Sequence, residues 1–142
     1  MSSEIITRLN DNLKRINNSN GLKIKLIFGH SESSLMQKNE YIITTFLPSS
    51  SRAVGNGMPS VIETLGVYQV DVYSPVIKSW GHVHYIADKI ENLFEIGSRI
   101  GDYHRITIIG LSRSDARREQ QFMKVTVSVN YQCLFNPDTP VQ

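Results

Sequence analysis

A chain of 142 residues is long enough for one domain with a single sizeable core. Its 20% charged and 40% hydrophobic residues give the balance of a soluble globular protein. Fifteen Lys and Arg against thirteen Asp and Glu leave a net charge of +2, too weak to argue for nucleic acid as the partner. The single cysteine, Cys133, excludes an internal disulfide and a multi-thiolate metal site, and it suits a reducing cytosol. The opening residues are charged throughout with no apolar signal core, and no apolar run reaches membrane-spanning length, so no membrane partner is expected.

The first segment predicts a helix. Ile5, Ile6, Leu9, Leu13 and Ile16 recur at helical spacing, Ser2 or Ser3 can cap the start, and Glu4 suits the positive end of the dipole. The loop formers of residues 17–21 end it. In 22–28, Leu22, Ile24, Leu26 and Phe28 alternate with Lys23 and Lys25, which predicts a strand with one buried face. A second strand runs from Tyr41 to Pro48. Residues 49–60 show no periodicity and many loop formers, so they read as a flexible loop, mobile or ordered by a partner. A third strand follows over 64–75, with Tyr68, Val70 and Val72 on one face and Gln69 and Asp71 on the other.

A second helix begins near Ser79 or Trp80. Val83, Ile86, Ala87, Ile90, Leu93 and Phe94 form its apolar stripe, and Gly97 is expected as its C-terminal cap. A fourth strand is expected over 105–111, then a basic arm over 112–120. In the last strand Met123, Val125, Val127, Val129, Tyr131, Cys133 and Phe135 alternate with Lys124, Thr126, Ser128, Asn130 and Gln132. Residues 136–142 read as a short C-terminal tail. The expectation is one α+β domain over 1–142 in the order α-β-β-β-α-β-β: a largely antiparallel sheet of about five strands with both helices on one face. Val125, Val127 and Val129 should meet Ile86, Ile90, Leu9 and Leu13 in the core.

Chemistry-bearing residues are few. His82 and His84 are two apart on a helix and so point about 200° away from each other, which prevents them from sharing one face. With Asp88, Asp102 and His104 they form a possible metal set, but spacing does not make these converge, and the plain reading is polar positions on a helix start. Cys133 lies on an apolar strand face, where a thiol is ordinarily an inert core residue. The Gly55–Asn56–Gly57 run lacks the Lys-Ser or Lys-Thr of a phosphate loop. Arg113, Arg117 and Arg118 cluster at an expected hairpin tip. They read as solvated charge or as a contact with a nucleic-acid backbone, and no aromatic residue is interleaved to stack bases. No catalytic, cofactor or metal residue is expected, and the chain is read as not an enzyme. The outer sheet face is polar and mostly uncharged (Gln69, Thr126, Ser128, Asn130, Gln132), which suits assembly better than catalysis.

One stretch carries a resemblance. The strand Tyr68-Gln69-Val70-Asp71-Val72, then Pro75, then the helix Ile86-Ala87-Asp88-Lys89-Ile90 through Phe94 resembles the core of the tail terminator (tail completion, minor tail) proteins of long-tailed bacteriophages. The family pattern is aromatic-Gln-Val-x-Val, a proline, a linker and Ile-Ala-Asp-x-Ile-x-x-x-Phe. The order of elements matches along most of the chain. The linker departs from the pattern: Val76-Ile77-Lys78-Ser79-Trp80 stands where family members often have glycines, with only Gly81 small.

The resemblance implies a structural protein of the virion, assembled in the host cytoplasm as a hexameric ring. Such a ring caps the tail tube protein, stops polymerisation, presents a surface to the head–tail connector protein, and lets DNA pass without specific binding. A polar lining fits this, because a strongly basic one would hold phosphates. Arg52, Val54 and Met58 are the expected contact residues of the 49–60 loop, beside Arg113, Arg117 and Arg118 in the second arm. The alternatives are a head–tail connector or neck component, a small metal-dependent hydrolase using the histidines and aspartates, and a nucleic-acid-binding module using the 112–120 arm.

Overall fold

The apolar stripe of the first segment folds as α1, Ser2–Leu13, continued by a 3-10 turn over Lys14–Asn18. The computed structural model describes residues 2–18, 24–28, 39–47, 49–54, 61–78, 80–100 and 106–135. Ile5, Leu9, Leu13 and Ile16 are buried. Asn17, expected only as a loop former, ties the end of this segment to the next: its side chain donates to the Ile24 carbonyl and accepts from the Ile24 amide, both at 2.9 Å. One residue later begins β1, Lys25–Phe28, followed by β2, Tyr41–Phe46. These two strands pair in parallel.

Residues 50–54 correct the expectation of a loop. They form β3, Ser50–Val54, antiparallel to β4, Val61–Pro75. The sequence hides this strand because all of it but Val54 is exposed, so no apolar alternation marks it; backbone pairing holds it instead. Removing residues 51–58 would therefore take away part of the sheet. Residues 55–60, and Met58 with them, lie outside the described residues.

After β4 comes α2, Trp80–Leu93, whose Val83, Ile86, Ala87 and Ile90 are buried. Gly97 is not its cap. It sits past the helix end with φ of 89° in a turn closed by Ser98 N–H on the Glu95 carbonyl, and its own amide donates to Ile108. The positive φ is what calls for glycine there. Next follow β5, Arg99–Ile100; β6, Ile106–Arg113; β7, Arg117–Glu119; and β8, Phe122–Phe135. The expected arm over 112–120 is thus largely strand, with β7 folding back antiparallel on β8.

The result is a mixed α+β fold in which eight strands stand among the described residues where about five were expected. Strand order is β1-β2-β4-β8-β6-β5, with β3 alongside β4 and β7 alongside β8. All pairings other than β1–β2 are antiparallel. The backbone of the sheet is the β4–β8 ribbon, paired from Ile62–Phe135 to Pro75–Phe122. One face of that ribbon, with Tyr68, Val70, Val72, Val125, Val127 and Val129, joins the stripes of both helices in a single core, as the periodicity predicted. Asn12 of α1 donates to the Leu93 carbonyl at 2.7 Å, and Tyr68 Oη donates to Asn10 at 2.5 Å, so polar contacts as well as burial seat α1.

Candidate interaction surface

The alternation that sends the valines of β4 and β8 inward sends Gln69, Asp71, Thr126, Ser128, Asn130 and Gln132 outward. Over the whole length of β4 and β8 this outer face carries one cation, Lys124. Its charges are matched within the chain. Asp71 is almost buried and accepts from Thr126 Oγ1 at 2.6 Å. Lys124 lies over the Tyr73 ring, 5.5 Å from its centroid, and 3.7 Å from Glu119. Burial works against its charge, but Asp71, Tyr73 and Glu119 outweigh this and hold its pKa above the ordinary value. Tyr41 stacks on Tyr73 with centroids 4.5 Å apart, and burial, helped by Tyr73 and Glu119, pushes the Tyr41 phenol up to about 12. At the other end Glu63 accepts from Arg52 Nε at 2.8 Å and Gln132 Nε2 at 2.6 Å. The hydrogen bond from Arg52, then that from Gln132, keeps the Glu63 carboxyl below its usual range. Pairing across strands of this kind leaves β4 and β8 themselves with little free charge to attract a phosphate, while the exposed Arg117 of β7 stands opposite Lys124 on the same face.

The face is not flat. An open groove of about 490 Å³ crosses it, lined by Leu65, Val67, Ile109, Asn130 and Ser50 among others. Ile109 faces outward by the alternation that buries Ile106 and Ile108, and the register shift between Ile108 and Gly110 leaves it without a partner position on β8.

The five of the expected contact residues that are described, Arg52, Val54, Arg113, Arg117 and Arg118, do not gather at one site. Arg52 is paired to Glu63 but stays 72% exposed. Val54 is half-buried opposite Val61. Arg117 and Arg118 are exposed on β7, where Arg118 Nε donates to the Gln120 carbonyl at 3.0 Å. Arg113 is not at a hairpin tip. It turns toward α2, donating to Asp88 at 2.6 Å and to Glu91 at 2.5 Å, and its pKa rises because these carboxylates outweigh partial burial. Sequence spacing could not reveal this, since the partners lie more than twenty residues away. Arg113→Ala is expected to cost about 1 kcal/mol, the scale of a partly exposed charge network. Arg113→Lys should not restore it, because a point charge cannot bridge two carboxylates. Urea midpoints at low and high salt check this, and the loss should shrink as salt screens the pairs.

His82 and His84 go to different partners. His82 Nε2 is 2.7 Å from Glu40. His84 Nδ1 is 3.3 Å from Arg113 Nη1, and because arginine only donates, Nδ1 is the acceptor. No group of three or more His, Cys, Asp or Glu side chains converges among the described residues; Asp102 and His104 lie outside them. Cys133 is fully buried, and burial pushes its thiol up to about 11, far from an activated nucleophile.

Glu40, just before β2, also accepts from Lys78 in the β4–α2 joint. Burial raises its pKa, but the hydrogen bonds from Lys78, its own backbone and His82 together win, and the carboxyl is held below the ordinary range. A depressed carboxyl adds stability above its unfolded pKa, about 4.3, and loses it as pH falls through the folded value. Wild type should therefore exceed Glu40→Gln in Tm near neutrality, and the gap should narrow steadily in acid. A gap independent of pH would mean that the charge contributes nothing.

No family model matches the sequence, and no curated protein matches it. The fold does have counterparts among solved structures. A protein that carries only a sequence identifier for a name superimposes with a TM-score of 0.70 at 14% identity, over 97% of this chain and 99% of its own. A chain from the virion of a native gene transfer agent (GTA) particle gives a TM-score of 0.57 at 8% identity, over 91% of this chain and 93% of its own. At such identities the likeness is one of fold. Among the described residues, no helix is long and apolar enough to cross a membrane.

Proposed function

We propose that this chain is a structural protein of a phage-like virion, a tail terminator whose copies form a hexameric ring on the end of the tail tube. The ring stops tube polymerisation and offers the surface to which the head connector joins; the role is mechanical, without catalysis. The observation that carries the reading is the fold likeness, along nearly the whole chain, to a component of a gene transfer agent virion. The Tyr68–Val72 strand and the Ile86–Phe94 helix, with their tail-terminator pattern, form one continuous strand–joint–helix unit around the core and so support it. The outer face of β4 and β8 agrees with it: its one lysine is engaged by Tyr73, Asp71 and Glu119, so DNA could pass such a lining without being held.

The test adds purified protein to growing tubes of the tail tube protein encoded by the same phage. Electron microscopy should show tubes of fixed length ending in a ring. Tubes that keep growing with the protein present would sink the reading. Binding to the isolated head connector but not to tubes would favour the head–tail connector role instead.

A further inference from the structure

Two sheet edges stand open among the described residues. On one side are β3, which pairs only with β4, and the end of β2 past β1, Thr45 and Phe46. On the other are β6 past β5, from Gly110 to Arg113, and β7. Open edges are ordinarily guarded by lysine, proline or a bulge that twists them away. β3 and β6 carry neither lysine nor proline. Their arginines are turned aside, Arg52 to Glu63 and Arg113 to Asp88 and Glu91. The unpaired backbone groups can be named. The Val67 carbonyl accepts from Leu47, so odd-numbered residues of β4 point toward β3, and Ser51 and Ala53 point their amides and carbonyls at the free edge. The Ser114 amide donates to the Thr126 carbonyl, so Leu111 and Arg113 do the same on the other side.

We propose that the β3 edge of one copy adds to the β6 edge of a second copy of this chain and so continues the sheet from chain to chain. The occupant follows from how the two edges match. β3, β4, β8 and β6 alternate in direction, so copies related by rotation about one axis bring β3 antiparallel to β6. Opposed residues must share a face, which puts Arg52 opposite Gly110 or Ser112 and not Leu111. Opposite Gly110, Val54 would take the place that Arg99 of β5 holds beside Thr107, and Phe28 of β1 would fall on Arg118 of β7. Opposite Ser112 both obstructions clear. Ala53 then meets Leu111, Ser51 meets Arg113, and Phe46 and Thr45 meet Arg118 and Glu119. The first two of these pairs are the ones whose free backbone groups face each other. The stagger also suits a closed sheet. Ser112 is level with Gln69, about 20 Å along β4 from the Glu63 that Arg52 pairs with, and the four strands span about 19 Å. The resulting tilt is about 45°, at the upper end of closed sheets. The inference deepens the ring reading, on which the closure and the number of copies rest; the edge pairing stands on the register.

Arg52→Cys and Ser112→Cys test the register. The chain's one cysteine, Cys133, is buried. Within one chain the two positions lie three strand spacings apart, about 14 Å, beyond the reach of a disulfide. Mixed and oxidised, the two single variants should give a linked pair of chains, and neither alone should. A chain carrying both substitutions should give a ladder that ends in a closed ring. Leu111→Cys in place of Ser112→Cys should lose the link, because its side chain points to the other face. Ala53→Pro removes an amide that β4 does not use, so circular dichroism should be unchanged while sedimentation shows a monomer where wild type assembles. The inference is overturned if the mixture yields no linked pair, if Leu111→Cys links as readily as Ser112→Cys, or if Ala53→Pro assembles as wild type does. Linked rings that leave tubes uncapped defeat the proposed function alone. Unlinked chains that still cap tubes defeat this contact alone.

Discussion

Ile90→Ala is expected to lower unfolding stability by about 2–5 kcal/mol, the cost of emptying a fully packed aliphatic site. Ile90 has no exposed surface, and it belongs to the same core as Val127 and Leu9, so both helices and the sheet lose contacts at once. The substitution adds no polar atom and alanine favours helix, so the loss is one of packing and not of helix formation. Against a total stability of about 5–15 kcal/mol for a domain, this is a large fraction. Urea denaturation should show the midpoint falling with the slope preserved. Val127→Ala, which removes less volume from the same core, should cost about 1–3 kcal/mol. If both midpoints stay at the wild-type value, the inward face of the β4–β8 ribbon has been assigned to the wrong side.

Gly66→Val should be nearly as damaging, for the opposite reason. Gly66 pairs with Tyr131 across β4 and β8, and a Cβ placed at Gly66 runs into the Tyr131 ring. The glycine therefore makes room for an aromatic side chain that is itself fully buried and stacks with Phe46 at a centroid distance of 5.7 Å. Forcing extra carbons into such a site costs about 1–3 kcal/mol, and β propensity, which favours valine, recovers only part of it. A double-mutant cycle isolates the collision. In a Tyr131→Leu background Gly66→Val should cost less, with a coupling of about 0.5–3 kcal/mol. Additive losses would show that Gly66 is required for some reason other than the ring that crosses it.

These two sites also mark what was legible before any fold was known. The inward alternation of β8 and the stripe containing Ile90 are local periodicities, and period alone decides which side of a strand or helix can be buried. The two helices, the long strands, the shared core and the polar outer face followed from the sequence for that reason. Gly66 carries no such signal, because its role depends on a side chain 65 positions away that only strand register brings opposite.

The same cause explains the elements that the sequence did not reveal. Strands β3 and β7 have exposed side chains on nearly every residue, so no apolar pattern distinguishes them from loop. They exist because β4 and β8 are long enough to offer unpaired edges beyond β2 and β6. Arg113 read as a tip charge until the β6 register turned it toward Asp88 and Glu91. Glu40, Lys78 and His82 came together only because β2 lies beside β4. The groove is lined by Ser50, Leu65, Val67, Ile109 and Asn130, which only the register of four separate strands brings together. The sequence by itself therefore determined the α+β class and the faces of the two helices, β4 and β8, which follow from spacing along the chain, but not the face of β1, where Ile27 is buried and Phe28 exposed against the expected alternation. Tertiary structure alone decided the edges, the charge pairs and the groove, because these depend on register between strands distant in sequence.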